Sequence, residues 1–181
     1  AVTGNFNVLV GKDSGTALEG GAGNVGLGYR TLYTSVAGDY NTAIGREALL
    51  TSNVSGNNFN TAVGYAAGTA VTTGIINTYL GAKAGSANVV GHNNVALGYN
   101  SLLTDSHGSQ SVAVGVGALQ VQDNGTTATN FLNTAVGYNA GVAVSTSVNN
   151  TLIGANSGIL TTTGHSNTFI GQDAGGSNTS G

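Results

Sequence analysis

The pattern Asn-[Val/Thr]-x-[Val/Ile/Leu]-Gly-x-x-[Ala/Ser/Thr]-[Gly/Leu] recurs ten times along the chain. Its copies begin at Asn7, Asn24, Asn41, Asn60, Asn77, Asn94, Ser111, Asn133, Asn150 and Asn167, so the steps are 17, 17, 19, 17, 17, 17, 22, 17 and 17 residues. A fixed step with occasional additions describes a solenoid: each repeat stacks on its neighbours and extra residues bulge from one corner. The additions fall in Thr51–Phe59 and Gln120–Leu132. A 17-residue unit is too short for a helical repeat pair, which needs roughly 33 residues or more, but it holds short strands and turns. One all-β domain over residues 1–181 is therefore expected, a parallel β-solenoid of about ten coils.

Composition agrees. Only 6% of residues are charged while 40% are hydrophobic, and Gly contributes 31 residues. Disorder requires the opposite balance. Asn, Ser and Thr must wet the surface, and together with Gly and Val they favour strands and turns. A net charge of −3 speaks against a nucleic-acid partner. Without Cys there is no disulfide scaffold, thiolate metal site or cysteine nucleophile. No apolar run is long enough to span a membrane as a helix, and no signal-peptide pattern is present. The chain contains no Met, so a processed product or a piece of something longer is expected.

Within the repeat, Asn-Thr-Ala-Val-Gly reads as a first strand and the stretch typified by Gly68–Thr73 as a second. Strand side chains alternate between faces. The second position (Val or Thr) and the fourth (Val10, Leu27, Ile44, Val63, Leu80, Leu97, Val114, Val136, Ile153, Ile170) therefore share one face, expected to line the lumen. The third position is Leu9, Gly26, Ala43, Ala62, Tyr79, Ala96, Ala113, Ala135, Leu152 or Phe169, and it is expected to face outward. It is never charged. A strand apolar on both faces is usually covered on both, and a single coil has no second layer, so sister chains are expected to cover the outer face. The fifth position is Gly in every copy: Gly11, Gly28, Gly45, Gly64, Gly81, Gly98, Gly115, Gly137, Gly154 and Gly171. That implies positive φ or close backbone approach. The leading Asn or Ser is expected to stack as a hydrogen-bonded ladder at a coil spacing of ~4.8 Å.

Ser111-Val112-Ala113-Val114-Gly115 resembles the head repeat of YadA-like trimeric autotransporter adhesins. The wider Asn-Thr-Ala-Val-Gly-Tyr-Asn-Ala-Gly (Asn133 to Gly141) is similar to repeats of phage tail fibres and of bacterial surface proteins that end in a tail-fibre-type chaperone. The resemblance covers essentially the whole chain. It implies a left-handed β-roll, a homotrimer, and an extracellular place on a virion tail or bacterial cell surface. The adhesin step is shorter than the step here, and no coiled-coil stalk, membrane anchor or chaperone domain is expected within these 181 residues.

Little points to chemistry. His92, His107 and His165 fall in inter-repeat turns, and Asp13 and Asp173 hold related positions at opposite ends without the tandem Gly- and Asp-rich nonapeptides of calcium rolls. Gly26-x-Gly28 and Gly115-x-Gly117 contain the repeat's own glycines and lack a fuller phosphate-binding motif. No enzyme, cofactor or metal is expected. Tyr29, Tyr65, Tyr99 and Tyr138 follow the fifth-position Gly in alternate repeats and would recur roughly every 10 Å. They would either cover a corner or an interchain seam, or contact a surface glycan through rings with an apolar body and a polar tip. The leading expectation is a non-enzymatic fibre or head module that meets a host receptor or polysaccharide through its two long corners. The alternatives are a self-assembling filament subunit, because neither end shows a polar cap, and an ice-binding solenoid, disfavoured because the Thr row is expected inside.

Overall fold

The computed structural model describes residues 3–123 and 125–181. Ten three-residue strands form one parallel sheet: β1 (Val8–Val10), β2 (Val25–Leu27), β4 (Thr42–Ile44), β6 (Thr61–Val63), β7 (Thr78–Leu80), β8 (Val95–Leu97), β10 (Val112–Val114), β12 (Thr134–Val136), β13 (Thr151–Ile153) and β14 (Thr168–Ile170). They pair in that order, one strand per coil. Two small parallel pairs complete the set, β3 (Gly38–Asp39) with β5 (Gly56–Asn57) and β9 (Gly108–Ser109) with β11 (Thr129–Asn130). No helix occurs among the described residues. The chain is a β-solenoid of about ten coils, and the register survives both insertions: Ile44 still pairs with Val63, and Val114 with Val136.

The leading Asn residues form the ladder that the repeat predicts. Each Oδ1 accepts the backbone N–H of the Asn one coil on, as in Asn77 to Asn60 at 3.0 Å and Asn94 to Asn77 at 2.9 Å. Most Nδ2 groups donate to a carbonyl at the coil's closing turn, as in Asn77 to Gly91 at 2.9 Å; the buried Nδ2 of Asn41 has no partner, and that of Asn167 donates to Asn150 Oδ1 at 3.1 Å. The ladder changes where Ser111 replaces Asn. There Gln122 reaches in, donating to the Ser111 hydroxyl at 3.0 Å and accepting from Asn133 Nδ2 at 2.8 Å. A buried polar group without a partner is expensive, and this relay gives the Ser111 hydroxyl and the Asn133 carboxamide partners at the substituted step.

The two faces of the sheet are the reverse of the sequence expectation. Tyr79 is 0% exposed and Ala43, Ala62, Ala96, Ala113, Ala135 and Leu152 are equally buried, whereas Leu80 is 45% exposed. The third position is the lumen, and the second and fourth positions face outward. The reason is a shared volume between positions three and nine. Where the ninth residue is Leu (Leu32, Leu49, Leu102, Leu119), the third is Gly or Ala; where the third is Leu, Tyr or Phe, the ninth is Gly. A Cβ added at Gly68 would stand 2.8 Å from the Tyr79 ring, and one at Gly85 would also strike it. In two coils both residues are small, Ala62 with Gly68 and Ala135 with Gly141, and there Tyr79 or Leu152 of the next coil lies against the glycine, so large and small residues balance across neighbouring coils.

The second strand expected at Gly68–Thr73 is a turn. The ninth position is left-handed in every coil, with φ from 45 to 65°, which breaks extended geometry. Coil-to-coil hydrogen bonding nevertheless continues through it, with Gly68 donating to Ala84 at 2.9 Å and Ala70 to Ser86 at 3.1 Å.

The fifth-position glycines have φ from 116 to 142°, a region essentially closed to other residues. They also lie under the next coil: a Cβ on Gly81 would sit 2.7 Å from the Gly98 carbonyl group. Strain and overpacking together predict that Gly81→Ala destabilises by about 3 kcal/mol or more, lowering the melting temperature by about 10 °C. Gly20→Ala, where an added Cβ meets nothing within 4 Å, leaves melting within about 1–2 °C of the parent. Circular-dichroism melts of both variants check this.

Candidate functional site

The outward sheet face is the largest unoccupied feature. Its second-position row reads Val8, Val25, Thr42, Thr61, Thr78, Val95, Val112, Thr134, Thr151, Thr168, and its fourth-position row is entirely Val, Ile or Leu. Neither row carries a charge. Ten three-residue strands at a spacing of ~4.8 Å and a rise of ~3.3 Å give an area of roughly 480 Å². That is about half of the ~800 Å² each partner contributes to a standard protein interface and within the size of apolar patch that is often functional on a monomer.

The two edges of this face differ. The four predicted tyrosines follow the C-terminal ends of the strands and stand in one row. Tyr65, Tyr99 and Tyr138 are 46, 51 and 58% exposed, and Tyr29 is half-buried. Between Tyr29 and Tyr65 lies Arg46, whose guanidinium carbon is 5.7 Å from each ring centroid. Arg30 sits 5.0 Å from Tyr29 and 5.1 Å from Tyr33, and lies 3.7 Å from the Asp13 carboxylate. Ala82, Val116 and Ala155 occupy the same row between or beyond the remaining tyrosines.

The long corners Thr51–Phe59 and Gln120–Leu132 lead into the N-terminal ends of strands, on the opposite edge, so the fold does not bring them together with the tyrosines. Residues 125–128 and Asn53, Ser55 and Asn57 are exposed, while Asn124 lies outside the described residues. Sequence reading missed the residue that precedes each ladder Asn. It adopts positive φ at Phe6, Tyr40, Phe59, Ile76 and Leu132, all of them exposed. Tyr40 and Phe59 stack there with centroids 5.3 Å apart. A bulky residue immediately before the repeat Asn was the signal available.

The histidines are spread out. His92 Nδ1 accepts the Ile75 amide at 3.1 Å, His107 Nδ1 contacts the Ser106 hydroxyl at 2.8 Å, and His165 is exposed. Asp173 accepts from Asn156 at 3.1 Å. Among the described residues no three His, Cys, Asp or Glu side chains gather into a metal-holding group, and no helix is long and apolar enough to cross a membrane. Compared with protein-family models, curated proteins and solved structures, the chain matches none.

Among the described residues one carboxylic acid, Asp105, is buried. Asn88, Asp105 and Gln122 hold the twelfth position in three successive coils, a polar run inside a column continued by Val71 and Val144. Asp105 accepts from the Gly108 amide at 2.7 Å and from Gln122 Nε2 at 2.8 Å. Burial pushes its carboxyl from 3.8 up to about 6; the two donors pull it back, and the Asp123 charge adds to the rise. Burial, then the Asp105 charge, also raises the Tyr79 phenol well above its ordinary value. In the unfolded chain Asp105 ionises near its ordinary value, so between about pH 4 and 6 the folded state holds a proton that the unfolded state has lost. Its contribution to stability is therefore greatest below that window and falls as pH rises through it, by about 3 kcal/mol at most. Melting of the parent should drop several degrees from pH 4 to 7 relative to Asp105→Asn, whose curve lacks this component. Parallel pH profiles refute the assignment.

Proposed function

We propose that this chain is a non-enzymatic rod module of a fibre or adhesin head, assembled with sister chains and contacting a host surface or glycan. The observation that carries the reading is the outward face of the main sheet. Its two rows keep one residue class over ten coils, although most of the fourth-position side chains are exposed in the single chain. The lumen, by contrast, accepts Gly, Tyr or Phe at one position as long as its partner compensates. Uniform, uncharged, β-branched and Leu side chains at even spacing suit an equally flat partner, and a second and third copy supply one. Association through this face yields a rod whose corner residues vary without disturbing the core and whose copies multiply weak contacts. The resemblance to YadA-like heads and tail-fibre repeats supports a trimer displayed outside the cell or on a virion tail.

A second reading is favoured by the corrected face assignment. Thr42, Thr61, Thr78, Thr134, Thr151 and Thr168 now stand on a flat exterior at regular spacing, as an ice-contacting surface requires. The bulky Leu and Ile of the neighbouring row fit a protein partner better. End-to-end filament growth remains the alternative mode of assembly.

Sedimentation separates these readings. The parent is expected to sediment as a trimer, and Leu80→Glu with Leu97→Glu as a monomer with unchanged circular dichroism. Thr73→Glu, at an exposed turn, keeps the trimer. A monomeric parent that shows thermal hysteresis overturns the proposal in favour of ice binding, and filaments in electron micrographs overturn it in favour of polymer growth.

A further inference from the structure

We propose that the gap between Tyr65 and Tyr99, floored by Ala82, is a slot for a single pyranose ring. The proposal rests on the adhesive reading above and names its ligand chemistry. The chain itself shows what such a gap admits. Between Tyr29 and Tyr65 the same row places Arg46, and its guanidinium inserts from one coil between rings that belong to the coils on either side. One coil further on the row carries only the methyl group of Ala82, so no long side chain of the row stands between Tyr65 and Tyr99. Because Arg46 covers one face of Tyr65, the opposite face is left for the gap above Ala82. Tyr99, 51% exposed, bounds the far side. Between Tyr99 and Tyr138 the row carries the larger Val116, and beyond Tyr138 it holds Ala155 and then Gln172, with no second ring. The Ala82 gap is thus the one place in the row where two tyrosines flank an alanine.

Thickness selects the ligand. A flat group in van der Waals contact with both rings needs them about 7 Å apart, twice the ~3.5 Å contact distance. Tyrosines two coils apart are separated by roughly 9.5 Å. Arg46 places its guanidinium carbon 5.7 Å from both centroids, beyond the distance of a closely stacked flat group. A puckered saturated ring whose C–H groups project on both faces takes up the difference, whereas a purine, an arene or a guanidinium does not. The ring faces offer C–H contacts, and Lys83, exposed and next to Ala82, offers an ammonium donor to a hydroxyl. Tyr side chains lose little conformational entropy on binding, which suits weak contacts repeated over several copies.

The test uses the full chain titrated with the methyl pyranosides of glucose, galactose, mannose and N-acetylglucosamine. Saturation-transfer NMR and the ring-proton shifts of Tyr65 and Tyr99 are the readouts. At least one pyranoside is expected to give saturable shifts confined to these two rings. Ala82→Arg, which installs the plug of the neighbouring gap, should weaken that binding tenfold or more, as should Tyr99→Ala. Ala82→Arg adds an exposed side chain at a surface corner, so it keeps the test decisive should Tyr99→Ala melt early. Absence of binding by every pyranoside, unchanged affinity in Ala82→Arg, or tighter binding of acetyl-arginine amide than of any sugar overturns the slot. Sedimentation of the same samples distinguishes the two levels: a trimer that ignores sugars refutes the slot alone, whereas a parent that does not assemble refutes the module reading.

Discussion

Each coil depends on its neighbours for its backbone hydrogen bonds. The strands and most turn amides donate to the adjacent coil, while short turn bonds three residues apart, such as Leu18 to Gly15, recur within each coil. A buried unpaired backbone group costs as much as a lost hydrogen bond, so the coils must superimpose closely along the whole rod. That requirement explains the invariant positions. The first-position Asn occupies both an amide of the next coil and a carbonyl of the closing turn, and few other side chains offer an acceptor and a donor at that reach. The fifth-position Gly lets consecutive coils approach at the strand's end. The lumen is freer, because its residues need only balance large and small across neighbouring coils.

These constraints separate what was readable in the chain from what was not. The period, the two insertions, the Asn ladder and the glycine row follow directly from residues that recur at a fixed offset, and the structure bears them out. The orientation of the sheet was not readable from the strand alone. Leu9, Gly26, Ala43 and Tyr79 look like a permissive outer row until each is paired with the ninth residue of its own and neighbouring coils. Only then does the alternation of large and small mark them as one packed interior. The failed second strand has a similar cause: Leu32, Leu49, Leu102 and Leu119 gave no hint of left-handed backbone, although Gly at the same place in the other coils did. Asp105 became visible as a buried acid only once the twelfth position was read as a column.

The arrangement divides labour over the surface. The lumen and the ladder hold the rod. The flat outer face, uncharged along its length, is suited to sister chains. Its two edges carry different chemistry, with tyrosines and cations following the strands on one side and the extended corners with the Tyr40–Phe59 stack preceding them on the other. Because the insertions leave the strand register intact, both edges can change in sequence while the rod keeps its geometry. This is how a repeat scaffold separates recognition from folding.

The account stands on the buried Asn ladder, and amide hydrogen exchange at the carboxamide groups of Asn60, Asn77 and Asn94 tests it most directly. These side chains are 0 to 1% exposed. Their Nδ2 protons should exchange more slowly than those of exposed Asn93 by on the order of a hundredfold or more, tracking opening of the stack rather than contact with solvent. Exchange as fast as at Asn93 in the folded chain would show that the ladder is not the interior seam described here.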